Sequence, residues 1–244
     1  MTLSYELVLF VSVIFISAIF RSTFGFGDAL IAMPLLAIFI SIKTATPIVA
    51  FTGFIISIVI LILDKESLNF KKISSLVIFS IIGIPLGIIF LREFHEELIK
   101  TILALILIVF SVFRLLNFVF KGLKSDKSAW IFGIISGALG GAYNTNGPPI
   151  IIYGALKKWD RQEFRLLLQG IFLPTNFFII LGHGAAGLWT QAVWTYLLIC
   201  LPFIILGIFL GNIFNKKIHK EKFNQLIYYF LLIIGIILLI KTYF

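Results

Sequence analysis

Residues 140–149 read Gly-Gly-Ala-Tyr-Asn-Thr-Asn-Gly-Pro-Pro and interrupt a chain that is otherwise almost continuously apolar. In hydrocarbon, every backbone N–H and C=O must be paired within its own segment, by neighbouring protein or by water. Paired glycines, two asparagines and a double proline cannot sustain a regular helix. The stretch is therefore either a surface loop or a helix break at membrane depth. Its flanks favour the break. Gly133, Gly137 and Gly141 line one helical face before it, and Ile150–Leu156 is too short to span a bilayer after it. The sequence predicts the tip of a broken helix pair that dips into the membrane, with a second tip near Gly25-Phe26-Gly27-Asp28.

Composition supports a membrane setting. Of 244 residues, 60% are hydrophobic and 13% charged, with a mean hydropathy of +1.11. A spanning helix needs about 20 apolar residues, so the length accommodates about eight to ten segments and no soluble domain. The apolar segments fall near 3–22, 28–42, 45–63, 73–91, 98–119, 129–142, 148–156, 163–182, 189–213 and 223–242. Residues 3–20 lack the basic flank and small-residue cleavage site of a signal peptide and are expected to remain as a membrane segment. The net charge of +9 would point to nucleic acid in a soluble protein; here the basic residues mark cytoplasmic connections, and no nucleic-acid partner is expected. The single cysteine, Cys200, excludes an intrachain disulfide. No Cys/His cluster has metal-ligand spacing, and no cofactor is implied.

Charge sets the expected topology. Lys65, Lys71, Lys72, Arg114, Lys121, Lys124, Lys127, Lys157, Lys158, Arg161, Arg165, Lys216, Lys217, Lys220 and Lys222 gather in four connections and make up 15 of the 20 basic residues. The connection at 92–97 carries Arg92 against three glutamates, and 183–188 carries no Lys or Arg. The four basic connections are then cytoplasmic, in an inner membrane, with both termini outside. It follows that 129–156 enters and leaves on the cytoplasmic side, whereas 3–42 begins and ends outside. The expected fold is an all-α, multi-pass helical bundle in a single domain, 1–244, with two inverted repeats, about 3–119 and 129–242. Each holds a broken pair followed by three spans. The alternative, in which each broken pair is one span and the halves run parallel, would turn Lys157, Lys158 and Arg161 outward. At an offset of 119, Gly25 matches Asn144, Gly27 matches Asn146, Asp28 matches Gly147, Thr46 matches Arg165, Ala50 matches Gln169 and Ser57 matches Asn176. Gly83 and Gly87 similarly match Gly207 and Gly211, small residues that either reflect the repeat or serve packing alone.

Polar residues inside the apolar segments are the candidates for function. Arg165, Gln169 and Asn176, at i, i+4 and i+11, point within about 40° of one another on a helix. Their bland readings are a snorkelling arginine and interhelical hydrogen bonds. Arg21 precedes the first break and Asp28 follows it, placed to cap the next helix. Arg21 beside exposed helix N–H groups makes a positive pocket, and helices starting at Asp28 and Gly147 can aim two such ends at one central site. A salt bridge to Asp28 or a headgroup contact is the alternative for Arg21. Pro148 and Pro149 suit a first turn, and Asn144 and Asn146 supply neutral donors that tolerate unusual backbone angles. Lys43, His95 and His183 are expected at interfaces, His183 in an external loop. Trp130, Trp159, Trp189 and Trp194 fall near segment ends, as an aromatic belt would. No nucleophile–base spacing or nucleotide-binding loop stands out, so an enzyme is disfavoured.

At this point a resemblance emerges. Phe24-Gly25-Phe26-Gly27-Asp28-Ala29-Leu30-Ile31-Ala32-Met33-Pro34-Leu35-Leu36 resembles the first-half signature of the sulfite exporter TauE/SafE family. Gly137-Ala138-Leu139-Gly140-Gly141, continuing to Asn146-Gly147-Pro148-Pro149-Ile150, resembles its second-half signature, and Phe164-Arg165 the Phe-Arg pair downstream. The resemblance covers essentially the whole chain. It implies a transporter of small organic or inorganic anions, often sulfur-containing, such as sulfite or sulfoacetate. Asn144 and Asn146 stand where the family often has glycine, and Arg21 adds a charge that many members lack.

The expectation is thus a membrane transporter, a secondary carrier rather than an enzyme, with a small anionic substrate. Its site would comprise Arg21, Gly25, Gly27, Asp28, Asn144, Asn146, Gly147, Arg165, Gln169 and Asn176. A passive anion channel and a membrane assembly factor without substrate are the rival readings. Self-association into a homo-oligomer is left open.

Overall fold

The computed structural model describes residues 2–63, 70–116, 122, 125, 127–159, 161–215 and 220–243. Lys65, Lys121, Lys124, Lys216 and Lys217, and the side chains of Arg161, Lys220 and Lys222, lie outside the described set. The described residues form ten α-helices and no strand: α1 Thr2–Phe24, α2 Asp28–Leu36, α3 Ile42–Leu63, α4 Phe70–Glu93, α5 Glu96–Leu115, α6 Ala129–Tyr143, α7 Gly147–Leu156, α8 Arg161–Ala185, α9 Gln191–Asn215 and α10 Lys220–Tyr243. Six of them, α1, α3, α4, α5, α8 and α9, contain stretches long and apolar enough to cross a membrane. The helices α2, α6 and α7 are shorter, with 9, 15 and 10 residues. The apolar stretch expected over 28–42 is helical only to Leu36; residues 37–40 turn before α3.

Small residues decide which helices lie closest. Lipid is as apolar as leucine, so helices in it associate through close packing rather than by hiding from solvent. Gly133, Gly137 and Gly141 on α6 face α4, and a methyl group at Gly137 would run into the Ser80 carbonyl. Gly83 and Gly87 on α4 return the contact, each against α6 backbone. The opposite edge of α4 carries Ile78, Ile82, Leu86 and Ile89, all exposed, as suits a surface solvated by acyl chains. Gly207 and Gly211 on α9 hold α1 in the same manner, and Ser22 Oγ donates to the Ile208 carbonyl at 2.9 Å.

Contacts along each pair give its direction. Gly133, Gly137 and Gly141 meet, in turn, Leu76–Ser80, Ser80–Ile84 and Ile84–Ile88, so α6 runs parallel to α4. The pair α5–α10 is antiparallel: Thr101 meets Tyr243, and Phe110 meets Tyr228. The pair α3–α8 is also antiparallel, with Ser57 at Gln169 and Gly53 at Asn176.

These directions define two ends. At one, Ser41 Oγ donates to Glu96 at 3.1 Å, Lys43 Nζ donates to the Arg92 carbonyl at 2.8 Å, and Phe51 packs against Trp189 and Trp194. At the other, Lys72 pairs with Glu163, Arg114 Nε donates to Tyr228 at 3.0 Å, and Lys158 lies beside Gly122. The hairpin α6–α7 turns back on itself. Its legs touch through Phe132 and Tyr153, and it opens to the basic end. The hairpin α1–α2 opens to the end that holds Glu96, since α1 starts beside α9, with Phe10 on Tyr196, and α2 leads to Ser41.

Candidate functional site

The tip of the first hairpin is a turn that only glycine makes without strain. Gly25 and Gly27 have φ of 86° and 96°, the left-handed region that costs L-residues about 1–2 kcal/mol. A Cβ at Gly27 would also lie 2.6 Å from the Phe20 ring. The turn brings Asp28 back onto α1, where Arg21 Nη1 donates to Asp28 Oδ2 at 2.7 Å. The expected capping role of Asp28 is thereby corrected. Gly27, which has no side chain to cap with, is the N-cap residue; Asp28 is the first helical residue and its carboxylate pairs with the buried guanidinium instead. Arg21 Nη2 donates to Ser57 Oγ at 2.6 Å and to Gln169 Oε1 at 3.3 Å. Gln169 Nε2 donates to the Gly25 carbonyl at 2.6 Å, tying the tip to α8. The guanidinium carbon lies 4.9 Å from the centroid of the Phe172 ring, a cation–π contact. Arg21 is only 2% exposed, so burial is supported by one opposite charge and several acceptors, as a charge in a low-dielectric interior requires.

The second tip is built from neutral groups. Asn144 takes φ 54° and ends α6, its N–H donating to the Gly140 carbonyl at 2.7 Å, while Thr145 N–H reaches Leu139 at 3.3 Å. Asn146 follows in the right-handed region, so only the first asparagine uses the left-handed backbone. Pro148 and Pro149 occupy the first turn of α7, where a missing N–H costs nothing. Asn146 Nδ2 donates to Thr175 Oγ1 at 3.2 Å, and Ser136 Oγ donates to the Asn146 carbonyl at 2.8 Å. His183 does not lie in an external loop. It is fully buried in α8, which extends to Ala185, and its Nε2 lies 2.9 Å from the Gly141 carbonyl. The helix end at Tyr143 leaves its last carbonyls without the usual donors, and this imidazole serves one of them.

Helix α8 stands between the tips. Gln169 and Phe172 face Arg21, and Thr175 faces Asn146. Phe172 serves both sides, since its Cζ is 3.8 Å from the position a Cβ would take at Gly147. Asn176 comes close to the ion pair at Gly53. A Cβ there would be 2.7 Å from Arg21 Nη1, 2.9 Å from Asn176 Nδ2 and 3.2 Å from Asp28 Oδ2. Arg165 is half-buried, its Cγ 2.9 Å from the Cβ position of Gly25. Several buried polar atoms have no hydrogen-bond partner among the described residues: Nδ2 and Oδ1 of Asn144 and of Asn176, Thr145 Oγ1 and Arg21 Nε. Such atoms are costly unless water or a ligand meets them.

The structure thus brings Arg21, Gly25, Asp28, Arg165, Gln169 and Asn176 around the first tip, and Asn144, Asn146 and Gly147 at the second. Gly27 supports the first turn from the side of Phe20. Sequence reasoning did not single out Gly53, Phe172 and Thr175, and it noted Ser57 only as the counterpart of Asn176. Gly53 and Ser57 are one helical turn apart in an apolar segment, a signal of the same kind as the polar face of α8.

Ten helices, outward apolar stripes and a buried polar centre define a multi-pass helical membrane protein. The sulfite exporter TauE/SafE family model matches residues 9–238, and the chain belongs to that family. It is accordingly a membrane transporter, of a family associated with sulfur-related anions. No curated protein and no solved structure shows significant similarity.

Proposed function

We propose that the protein is a secondary carrier of a small sulfur-containing oxyanion or organosulfonate, such as sulfite or sulfoacetate, bound between the two hairpin tips. The observation that carries this reading is α8: one helix presents Gln169, Phe172 and Asn176 to a buried guanidinium and Thr175 to the other tip. The unpartnered amides of Asn176 on α8 and of Asn144 at the second tip supply neutral donors, and the amino ends of α2 and α7 add partial positive charge. Substrate contact is assigned to Arg21, Asn144, Asn146, Gln169 and Asn176, with backbone N–H groups of Gly27, Asp28 and Gly147. Arg165 is assigned to gating. This function is transport, with no chemical conversion of the substrate.

Helix pairing supports reading the halves as inverted repeats. Exchanging them carries the parallel pair α1–α9 onto α6–α4 and leaves α3–α8 and α5–α10 paired with each other. The hairpins open to opposite ends, the arrangement that alternating access uses. We assign the basic end to the cytoplasm of an inner membrane, by the charge bias of its connections, which places both termini outside.

Uptake of labelled sulfite, sulfoacetate and short carboxylates into proteoliposomes tests the proposal. Saturable flux with counterflow is expected for one of the sulfur anions. No flux of any anion above empty vesicles overturns it, and large unitary currents would assign the protein as a channel instead.

A further inference from the structure

The buried ion pair does more than neutralise Arg21. We infer that the Asp28 carboxylate is a tethered counter-anion, which the transported anion must displace from the Arg21 guanidinium. The inference rests on the anion-carrier reading above.

Arg21 has little capacity left for a second anion while Asp28 is in place. Nη1 is held by Asp28, and Nη2 by Ser57 and Gln169, so both terminal nitrogens are engaged and only Nε, itself buried, has no partner among the described residues. The space in front of Nη1 is closed as well. The point beside Gly53 is ringed by Arg21 Nη1, Asn176 Nδ2 and Asp28 Oδ2, none more than 3.2 Å away. An oxyanion that pairs with the terminal nitrogens at this point therefore takes the volume of the Asp28 carboxylate. It would there also meet Asn176 Nδ2, a donor with no partner among the described residues.

The charge balance favours exchange over addition. The pair is neutral, and both members are at least 96% buried, with exposures of 2% and 4%. Adding an anion alongside leaves a net negative charge in a low-dielectric core, which is unfavourable. Exchange leaves the guanidinium paired throughout, and it requires the freed Asp28 carboxylate to swing out of the core with the short leg of the hairpin or to take up a proton, since a buried unpaired carboxylate would carry the same excess charge. Among the described residues, other ionisable and polar groups near Asp28 are few. α1 offers Arg21, α3 offers Ser57, and α8 offers Gln169, Asn176 and, at the Gly25 turn, Arg165. α10 contributes Tyr228 near Gly27, its hydroxyl engaged by Arg114 of α5.

The carboxylate's mounting suits release. Asp28 begins a nine-residue helix that follows two left-handed glycines, whereas Arg21 belongs to a 23-residue helix packed along α9. Freeing Asp28 uncouples the short leg of the hairpin from the long one. Anion arrival would thus loosen one tip and not the other, a differential interaction of the kind that a conformational shift requires.

The test is a sign. Asp28→Asn keeps the shape and an acceptor for Nη1 and removes the competing charge. In purified protein, the sulfoacetate concentration that half-maximally raises the melting temperature is expected to fall at least tenfold relative to the parent protein. Maximal uptake into proteoliposomes falls at the same time. An unchanged or weaker response in Asp28→Asn overturns the inference, since a merely structural salt bridge would lose affinity. Should that variant not fold, the parent protein provides the reading. Sulfoacetate is expected to accelerate labelling of Asp28 by dicyclohexylcarbodiimide, followed by mass spectrometry at that residue. Protection or no change overturns the inference. If the parent protein neither carries nor is stabilised by sulfoacetate, sulfite or carboxylates, the carrier reading itself has failed and this inference with it.

Discussion

Replacing Gly53 with alanine places one methyl group where α1, α2, α3 and α8 converge. Its carbon would sit 2.7 Å from Arg21 Nη1, 2.9 Å from Asn176 Nδ2 and 3.2 Å from Asp28 Oδ2. Ordinary contact begins near 3.4 Å, so all three atoms must give way together. Arg21 cannot yield freely, because Nη1 also holds Asp28 and Nη2 holds Ser57. Overpacking of this kind costs about 1–3 kcal/mol, and a hydrogen bond to a charged group lost in the process adds about 1.5–3 kcal/mol. Gly147→Ala is the control for packing, since its nearest neighbours are 3.8 Å away. Melting in detergent, followed by intrinsic fluorescence, should therefore rank Gly53→Ala well below Gly147→Ala. Anion uptake per folded Gly53→Ala molecule should fall more than tenfold, because the displaced groups are those assigned to the substrate. A Gly53→Ala protein with parental melting temperature and uptake would refute the assignment of this point as the centre of the site.

Three further outcomes follow from the packing. Gly137→Ala drives a methyl into the Ser80 carbonyl; backbone cannot step aside, so the yield of monodisperse protein on size-exclusion chromatography should drop sharply. His183→Ala strands the Gly141 carbonyl and should cost about 1–3 kcal/mol, read as a lower melting temperature. Ser57→Ala removes the 2.6 Å bond from Arg21 Nη2, a charge-assisted contact worth about 1.5–3 kcal/mol; the loss should shrink markedly when Arg21 is already replaced by glutamine, as a double-mutant cycle would show.

Much of the architecture was legible because lipid makes simple demands. Small residues four apart, Gly83 and Gly87 and again Gly207 and Gly211, pointed to close helix packing, and Asn144 through Pro149 announced a break, since no regular helix accommodates them. The polar residues of α8 could be placed on one face from their spacing alone. Partner identity was not legible. His183, flanked by glycines, reads as a loop residue until Gly141 is seen opposite it. Asp28 reads as a cap until the turn at Gly25 and Gly27 swings it onto Arg21.

By itself, the sequence determined that this chain lives in a membrane, where it breaks and which face of α8 is polar. All three follow from local chemistry: hydropathy, backbone freedom and periodicity. Tertiary structure alone decided that the Arg21 charge is compensated, that Gly53 is the pinch point and that Phe172 stands between the tips. Those are relations between residues many positions apart, such as the 148 that separate Arg21 from Gln169. Spacing along one helix carries no information about which atom of another helix will fill the remaining volume.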